Sequence, residues 1–199
     1  MRIGVCGGTF DPFHRGHLDP ILAVRSRLQW DRIIYVPAHR QPFKTDRDAA
    51  SGYHRFTMTV LGTEEHDAVY VSPVELERGA VSYTIDTLDV LSREHPGAEL
   101  DWVIGDDHMA RLPEWREPER IFAMARFIVL NRNAETEVPL ALRDRHAAGR
   151  IVFAQNDTVA VSSTEIRRRV RAGEPIDDFV HPHVSRYIQR NGLYQGARS

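Results

Sequence analysis

Short apolar runs rich in β-branched residues recur along the chain, each of a length that suits a buried strand. They occupy residues 2–6, 33–36, 69–71, 100–104, 127–130 and 151–153. Between most of them, apolar residues return every three or four positions, as they do on one face of a helix. These helical stretches are residues 55–65, 84–94, 117–125 and 164–172. The pattern predicts strands that alternate with helices.

This alternation predicts an α/β fold: a doubly wound, Rossmann-like parallel sheet with helices on both faces. In such sheets the ligand crevice lies outside the carboxyl ends of the strands. We see no internal repeat, low-complexity tract or linker between units of equal size. We therefore expect a single domain over residues 1–199, with an α/β core at 1–172. A small helical appendage follows at 173–199, with a helix from about residue 184 to 190.

The stretch between the first strand and the first helix has the most specific chemistry. Residues 7–17 have the sequence Gly-Gly-Thr-Phe-Asp-Pro-Phe-His-Arg-Gly-His. The first backbone N–H groups of a helix lack internal partners and the helix dipole is positive there, so an anion is favoured. Glycines allow close approach of a ligand, and His14 and His17 add donors. The stretch predicts a phosphate site; the alternative is that its histidines only cap or pack the turn.

Two common phosphate-binding loops are excluded. The glycines do not form G-x-G-x-x-G, and no Gly-Lys-Ser/Thr is present for a P-loop. A further basic loop follows the second strand, where Arg40 and Lys44 could neutralise a polyphosphate. The alternative for that loop is an ordinary solvated surface.

Three later stretches carry polar groups at predicted strand ends or helix starts. Ser82 or Thr84 is a candidate N-cap, or part of a second anion site. After the fourth strand, Asp106 is a candidate N-cap, and Asp107 could accept hydrogen bonds from ligand hydroxyls or an amine. A metal site built from residues 106–108 has weak support. Trp115 could hold a planar, negatively charged ring, or could pack on the core.

The last informative stretch is residues 162–167. Ser162 and Glu165 fit a capping box, so a helix begins here and offers N–H groups to a phosphate. The arginine run at 167–171 also invites a nucleic-acid interpretation. A solvated helix face with one functional arginine is favoured in a chain of net charge −2.

Composition narrows the class of protein. The 199 residues are 42% hydrophobic and 27% charged, with 26 basic and 28 acidic residues. These values are ordinary for a globular protein and create no overall field for nucleic acid or a membrane surface. The one cysteine, Cys6, excludes an internal disulfide and is expected to be a buried, inert thiol. No signal pattern or long apolar run is present, so a cytoplasmic location is expected.

Taken together, these segments resemble the bacterial nicotinate-nucleotide adenylyltransferases of the H-x-G-H nucleotidyltransferase superfamily. The resemblance covers residues 2–194 and is carried by the following motifs: G-G-T-F-D-P-x-H-x-G-H, S-Y-T with D-T-L, G-x-D, the Trp115 loop, S-x-T-x-I-R and Y-I-x-x-x-G-L-Y. One loop departs from the family, which often has Pro-Pro-His-Lys where this chain has Gln41-Pro42-Phe43-Lys44. The lysine is kept, but any role of that histidine is absent or passes to His39 or Phe43.

The resemblance implies an enzyme of NAD biosynthesis that joins nicotinate mononucleotide and ATP to give nicotinate adenine dinucleotide and pyrophosphate. It implies catalytic roles for His14 and His17. The implied ATP-binding residues are Gly8, Thr9, Phe10, Lys44, Gly105, Asp107, Ser162, Thr164 and Arg167. Those implied for the mononucleotide are Thr84, Trp115 and Arg116. Mg²⁺ is implied as cofactor, held mainly by ATP phosphates with no dedicated protein site. The expected partners are ATP and nicotinate mononucleotide, without nucleic acid or membrane, and homo-oligomer formation is left open.

Alternatives remain at this point. A sibling adenylyltransferase could prefer nicotinamide mononucleotide or phosphopantetheine, although the Ser82–Thr84 and Trp115 motifs argue against phosphopantetheine. A non-catalytic nucleotide sensor is a different class, against which the intact His14 and His17 argue. A third alternative is a nucleic-acid-binding protein that uses the arginine run. Its affinity for DNA or RNA would fall steeply as the salt concentration rises.

Overall fold

The computed structural model describes residues 1–40, 49–131, 137–155 and 161–195. Within these ranges the strands form one parallel sheet in the order β3-β2-β1-β4-β5-β6. The strands are β1 (Arg2–Gly8), β2 (Arg32–Pro37), β3 (Val69–Val71), β4 (Glu99–Gly105), β5 (Ala125–Asn131) and β6 (Ile151–Gln155). The chain winds outward in one direction from β1 and in the other from β4. The predicted doubly wound sheet is confirmed, and its switch point lies between β1 and β4.

Helices connect the strands, and their bounds are α1 (Arg15–Leu28), α2 (Gly52–Thr63), α3 (Val74–Arg78), α4 (Thr84–Glu94), α5 (Asp106–Met109), α6 (Pro118–Met124), α7 (Arg143–Ala147), α8 (Ser163–Ala172) and α9 (Pro182–Arg190). Two begin earlier than apolar spacing predicts. The hydroxyl of Ser51 accepts from the backbone N–H of His54 at 3.3 Å, and His181 caps α9 before Pro182. Capping therefore extends each helix beyond its apolar stripe.

Both faces of the sheet are buried. In β2, Ile34 and Val36 join the hydrophobic cluster on one face, while Ile33 and Tyr35 join the cluster on the other. Because both faces of β2 are covered, its sequence is a continuous apolar run and does not alternate with polar residues. Cys6 is buried in the second cluster as expected, and burial raises the pKa of its thiol.

A polar cluster lies at the edge of the sheet where the strands begin. The indole N–H of Trp30 donates to Oδ2 of Asp101 at 2.7 Å. The guanidinium of Arg126 donates to both oxygens of the same carboxylate, at 2.9 and 2.6 Å. Asp101 is only 1% exposed, so these bonds satisfy a carboxylate that burial would otherwise make costly.

The carboxyl-terminal segment packs on the core through α9. Val184 and Ile188 are buried in the same cluster as Met58 of α2. Beyond α9, the hydroxyl of Tyr194 donates to Oδ1 of Asp11 at 2.5 Å. The tail is thus tied to the turn after β1, while the division of the chain at residue 172 stays a prediction. None of the helices in the described ranges is long and apolar enough to cross a membrane.

Candidate active site

A cleft of about 920 Å³ opens at the carboxyl ends of β1 and β4, at the switch point of the sheet. Several residues from distant parts of the sequence that were predicted to bind nucleotides line it: Gly8, Phe10, His17, Thr84, Gly105, Asp107, Trp115 and Arg116. Parallel strands end together at this edge, so the loops that follow β1 and β4 meet there. The fold therefore brings these eight predicted residues to one cavity.

The turn after β1 is tightly packed. A Cβ atom on Gly8 would lie 2.7 Å from the ring of Phe10, so only glycine fits at that position. Phe10 has a φ of +54°, which is strained for a bulky side chain, and its ring meets those of Phe13, His17 and Tyr35 edge-on. Such strain persists only where the surroundings fix it, so this turn is a rigid floor for the cleft.

The two histidines of the turn have different exposures. His14 is the N-cap of α1 and is only 4% exposed, whereas His17 lines the cleft. Their rings stack with centroids 3.6 Å apart. The backbone N–H of His14 donates to Nδ1 of His17 at 3.3 Å, so the neutral His17 ring carries its proton on Nε2. The capping contact considered for these histidines therefore exists.

Tyr35 of β2 anchors the first turn of α1 to the sheet. Its hydroxyl donates to the backbone carbonyl of His17 at 2.9 Å, and burial raises its pKa well above the ordinary value. The hydroxyl therefore stays protonated and keeps the first turn of α1 in place. The hydroxyl oxygen of Thr9 is enclosed, and among the described residues it has no hydrogen-bond partner. An enclosed polar atom of this kind is suited to a ligand group.

The start of α4 differs from the prediction that Ser82 or Thr84 caps it. The N-cap is Tyr83, whose side chain makes no capping hydrogen bond, and Thr84 is the first residue of the helix. Ser82 is used elsewhere, since its hydroxyl accepts from the backbone N–H of His39 at 3.1 Å. With no side chain on its end, the first turn of α4 presents its N–H groups toward the cleft that Thr84 lines.

The loop after β4 also differs in detail. Gly105, not Asp106, is the N-cap of α5, so the predicted role of Asp106 is wrong. A Cβ atom on Gly105 would lie 2.5 Å from Oδ1 of Asp107, so the glycine makes room for that carboxylate. Oδ1 of Asp107 is 2.9 Å from Nδ1 of His108. Within the described ranges, residues 106–108 do not form a metal-binding group.

Trp115 makes the core contact considered for it, and it also lines the cleft. Its ring packs edge-on against that of Phe127, with centroids 5.8 Å apart. Arg116 lies 5.0 Å above the ring of Tyr83 and 3.7 Å from Oδ2 of Asp86. An aromatic surface beside a cation thus forms the wall of the cleft next to the start of α4.

The start of α8 is bonded to the turn after β1. Ser162 caps the helix as predicted, accepting from the backbone N–H of Glu165 at 3.2 Å. Ser163 donates to the carbonyl of Pro12 at 3.2 Å, and Arg167 donates to that of Asp11 at 2.7 Å. Thr164 lies in the first turn of α8, so Ser162, Thr164 and Arg167 stand beside the turn, although none of them lines the cleft itself.

Two other arginines on α8, Arg168 and Arg169, face acidic partners. Arg168 lies 2.8 Å from Glu165 and 2.7 Å from Glu174, and Arg169 lies 2.9 Å from Glu165. These arginines lower the pKa of the exposed Glu165 carboxyl to about 2. The arrangement fits the solvated face with one functional member, Arg167, that the sequence favours.

Sequence reasoning missed a buried arginine behind the turn. Arg55 of α2 is 4% exposed and donates to the carbonyls of Thr9 at 2.6 Å, Ala38 at 2.6 Å and Ala50 at 3.1 Å. Burial lowers its pKa, and the charge of Asp11 opposes that effect. Arg55 therefore joins the turn after β1 to the segment after β2. The sequence signal that could have identified it is the position of Arg55 on the same helix face as the buried Met58 and Gly62.

Asp11 was predicted only as part of the motif, and the structure gives it specific contacts. Its Oδ1 accepts from Tyr194 and from the backbone N–H of Ala50 at 3.1 Å. Burial raises the pKa of this carboxyl. Lys44 and Phe43 lie in residues 41–48, outside the described ranges.

Comparisons with known proteins agree with this geometry. Residues 5–169 match the cytidylyltransferase-like family model. A protein of Gemmatimonas aurantiaca named "probable nicotinate-nucleotide adenylyltransferase" is 38% identical, over 98% of this chain and 93% of its own length. This chain belongs to the nicotinate-nucleotide adenylyltransferase family.

Other similar proteins extend the match. A Streptomyces coelicolor protein of the same name is 35% identical over 96% of this chain and 99% of its own length. The structure of a Plasmodium falciparum nicotinic acid mononucleotide adenylyltransferase complexed with NaAD superposes with a TM-score of 0.75. It has 19% identity and covers 97% of each chain. At that identity the superposition confirms the fold.

Proposed function

We propose that the chain transfers the adenylyl group of ATP to nicotinate mononucleotide, giving nicotinate adenine dinucleotide and pyrophosphate. The observation that carries this proposal is the single cleft lined by both His17 and Thr84. Each residue belongs to the first turn of a helix, so two anion-favouring helix starts meet one cavity. Two phosphorylated substrates need such an arrangement.

We assign the two substrates to the following residues, of which Ser162, Thr164 and Arg167 stand beside the cleft. ATP is assigned to Gly8, Thr9, Phe10, Gly105, Asp107, Ser162, Thr164 and Arg167, together with Lys44. Nicotinate mononucleotide is assigned to Thr84, Trp115 and Arg116. The cation of Arg116 and the uncapped start of α4 support an acceptor ring that carries a carboxylate. Donors that a carboxylate would satisfy and an amide would leave unpaired disfavour the nicotinamide analogue.

The reaction requires positioning and charge stabilisation more than acid–base chemistry. A phosphate oxygen of the mononucleotide attacks the α-phosphorus of ATP in line, and pyrophosphate leaves with the electrons of the broken P–O bond. The attacking oxygen is already an anion, so no strong base is needed. We assign the Nε2–H of His17 to the charge that grows on the α-phosphate, and His14 to support of that ring.

Mg²⁺ is the proposed cofactor. Among the described residues, no group of three metal-binding side chains converges in the cleft. Asp106 and Asp107 line the cleft, and their carboxylates are the oxygen ligands that Mg²⁺ would take beside the substrate phosphates. When bound, the ion would neutralise phosphate charge.

One assay tests the proposal. The protein is incubated with ATP, Mg²⁺ and, in separate reactions, nicotinate mononucleotide, nicotinamide mononucleotide or phosphopantetheine, and pyrophosphate release is measured. We expect the nicotinate substrate to give the highest kcat/KM. A preference for either other acceptor would identify a sibling enzyme. Nucleotide binding without pyrophosphate release would identify a sensor and contradict the proposal.

A further inference from the structure

A second cluster of donor side chains lies outside the cleft, between the end of α2 and the start of α9. Glu64, His181 and His183 each offer one ligand atom, and these atoms lie within 4.8 Å of one another. None of the three lines the cleft. The nucleotide chemistry proposed above makes no use of them.

The backbone at this cluster is well defined. Glu64 is the C-cap of α2, and His181 is the N-cap of α9. Pro182 stands between the histidines at the first helical position, where its fixed φ suits a helix start. The backbone positions of both histidines are therefore set before any ligand arrives.

Each imidazole already faces a carboxylate. Nδ1 of His183 is bonded to Oε1 of Glu64, and Nε2 of His181 lies 3.3 Å from Oε1 of Glu65. The two rings are 5.1 Å apart and nearly perpendicular. A divalent cation between the rings and these carboxylates would balance two negative charges.

The spacing suits a small tetrahedral ion after modest rotation. Zinc binds nitrogen and oxygen ligands at about 2.0–2.2 Å, which places neighbouring ligand atoms about 3.4 Å apart. The side chains of His181, His183 and Glu64 are 21%, 48% and 37% exposed, so they have room to turn inward. Glu64 also lies at the carboxyl end of α2, where the helix dipole favours a cation.

One existing contact opposes binding. The backbone N–H of His183 donates to Nδ1 of His181 at 3.3 Å. Coordination through Nε2 would move the ring proton to Nδ1 and break this long hydrogen bond. The loss is that of one weak cap, which is smaller than the gain from three metal–ligand bonds.

We propose that Glu64, His181 and His183 form a binding site for a borderline divalent cation of the Zn²⁺ class. Oε1 of Glu65 lies beside the site, 3.3 Å from Nε2 of His181. Imidazole ligands select such ions over Mg²⁺, so this site is distinct from the proposed cofactor. A bound ion would link α9 to α2 and so hold the carboxyl-terminal segment on the core.

Metal titration of the full-length protein tests the site. Zn²⁺ is titrated by calorimetry, and Co²⁺ by its visible absorption, into wild type, His183→Ala, Glu64→Gln and a control, His146→Ala, which removes an exposed histidine on α7. We expect one equivalent to bind wild type and the control, to raise Tm, and to be lost in the other two variants. Mg²⁺ should not compete.

The outcomes separate cleanly. Glu64→Gln keeps the size of the side chain, so its loss of binding would not reflect misfolding, and its unliganded Tm checks this. Binding that survives in both His183→Ala and Glu64→Gln would overturn the site, as would a wild type that binds no Zn²⁺ or Co²⁺. Adenylyl transfer with Mg²⁺ should be unchanged in both variants.

Discussion

Two buried aspartates at opposite ends of the sheet have contrasting surroundings. Asp101, near the start of β4, has both carboxylate oxygens hydrogen-bonded, by Trp30 and Arg126. Asp11, in the turn after β1, accepts hydrogen bonds through Oδ1. Within the described ranges its Oδ2 has no hydrogen-bond partner, and Nη1 of Arg167 lies 3.6 Å from it.

The contrast separates what supports the fold from what supports the cleft. A buried carboxylate with complete hydrogen bonding contributes specificity and rigidity, whereas incomplete bonding costs free energy. At the carboxyl end the molecule also keeps a positive φ at Phe10 and an enclosed hydroxyl at Thr9. The strain at Phe10 and the unmet polar atoms of Thr9 and Asp11 thus lie in one turn beside the proposed ligand site. At the opposite edge, by contrast, Asp101 has both oxygens hydrogen-bonded.

The largest stability effect is expected from Asp101→Ala. It strands the guanidinium of Arg126 and the indole N–H of Trp30 in a buried site, which should lower the free energy of unfolding by about 3 kcal/mol. Denaturant unfolding measures the change. kcat should stay near wild type, because the cluster lies far from the cleft. A large fall in kcat in a folded variant would contradict the claim that Asp101 supports the fold and not the cleft.

Arg55→Met is expected to affect both properties. Losing the donors to the carbonyls of Thr9 and Ala38 should cost about 2 kcal/mol of unfolding free energy. The turn after β1 would shift, so kcat should fall about tenfold or more. Arg120→Met, which removes an exposed arginine paired with Asp89, is the matched control. If Arg55→Met leaves kcat unchanged, this arginine does not position the turn.

Tyr194→Phe tests the bond from the carboxyl-terminal segment to Asp11. Removal of one buried hydrogen bond should cost about 1 kcal/mol. Loss of a partner for Asp11 should also lower kcat modestly. Tyr187→Phe, which removes a hydroxyl bonded to His54, serves as a comparison because it leaves Asp11 untouched. Equal kcat values in the two variants would argue against a link between the tail and the turn.

The smallest effect is a pH dependence of stability from Asp11. Burial raises the pKa of its carboxyl above the ordinary value of 3.8, so the folded state holds this proton more tightly than the unfolded state. Its contribution to stability is greatest below 3.8 and declines as pH rises through the folded-state pKa. The stability of wild type minus that of Asp11→Asn should therefore fall with pH in this window. A stability difference that rises with pH would contradict this prediction.

Local signals in the sequence were sufficient for the strands and for most helices. Buried parallel strands are continuous apolar runs, which are visible in the sequence. Ser162 predicts the start of α8 because a capping box links residues only three positions apart. Two proposed N-cap roles failed for physical reasons. The hydroxyl of Ser82 is bonded to the backbone of His39, and Gly105 adopts the cap conformation one residue before Asp106.

The candidate site was predictable as a set of motifs but not as a geometry. The sequence could not show that His17 lines the cleft while His14 is buried. Arg55 bonds the carbonyl of Thr9 across 46 positions, and Tyr194 reaches Asp11 across 183. No local pattern encodes such pairs, because only the assembled sheet brings them together.

The most direct test of the proposed chemistry is the rate of nicotinate adenine dinucleotide formation by His17→Ala with saturating ATP, nicotinate mononucleotide and Mg²⁺. Loss of a donor to the α-phosphate should lower kcat about 100- to 1,000-fold. Circular dichroism should show the variant folded. A kcat within a few fold of wild type would contradict the role of His17 and the claim that the carboxyl end of the sheet stabilises the transition state through it.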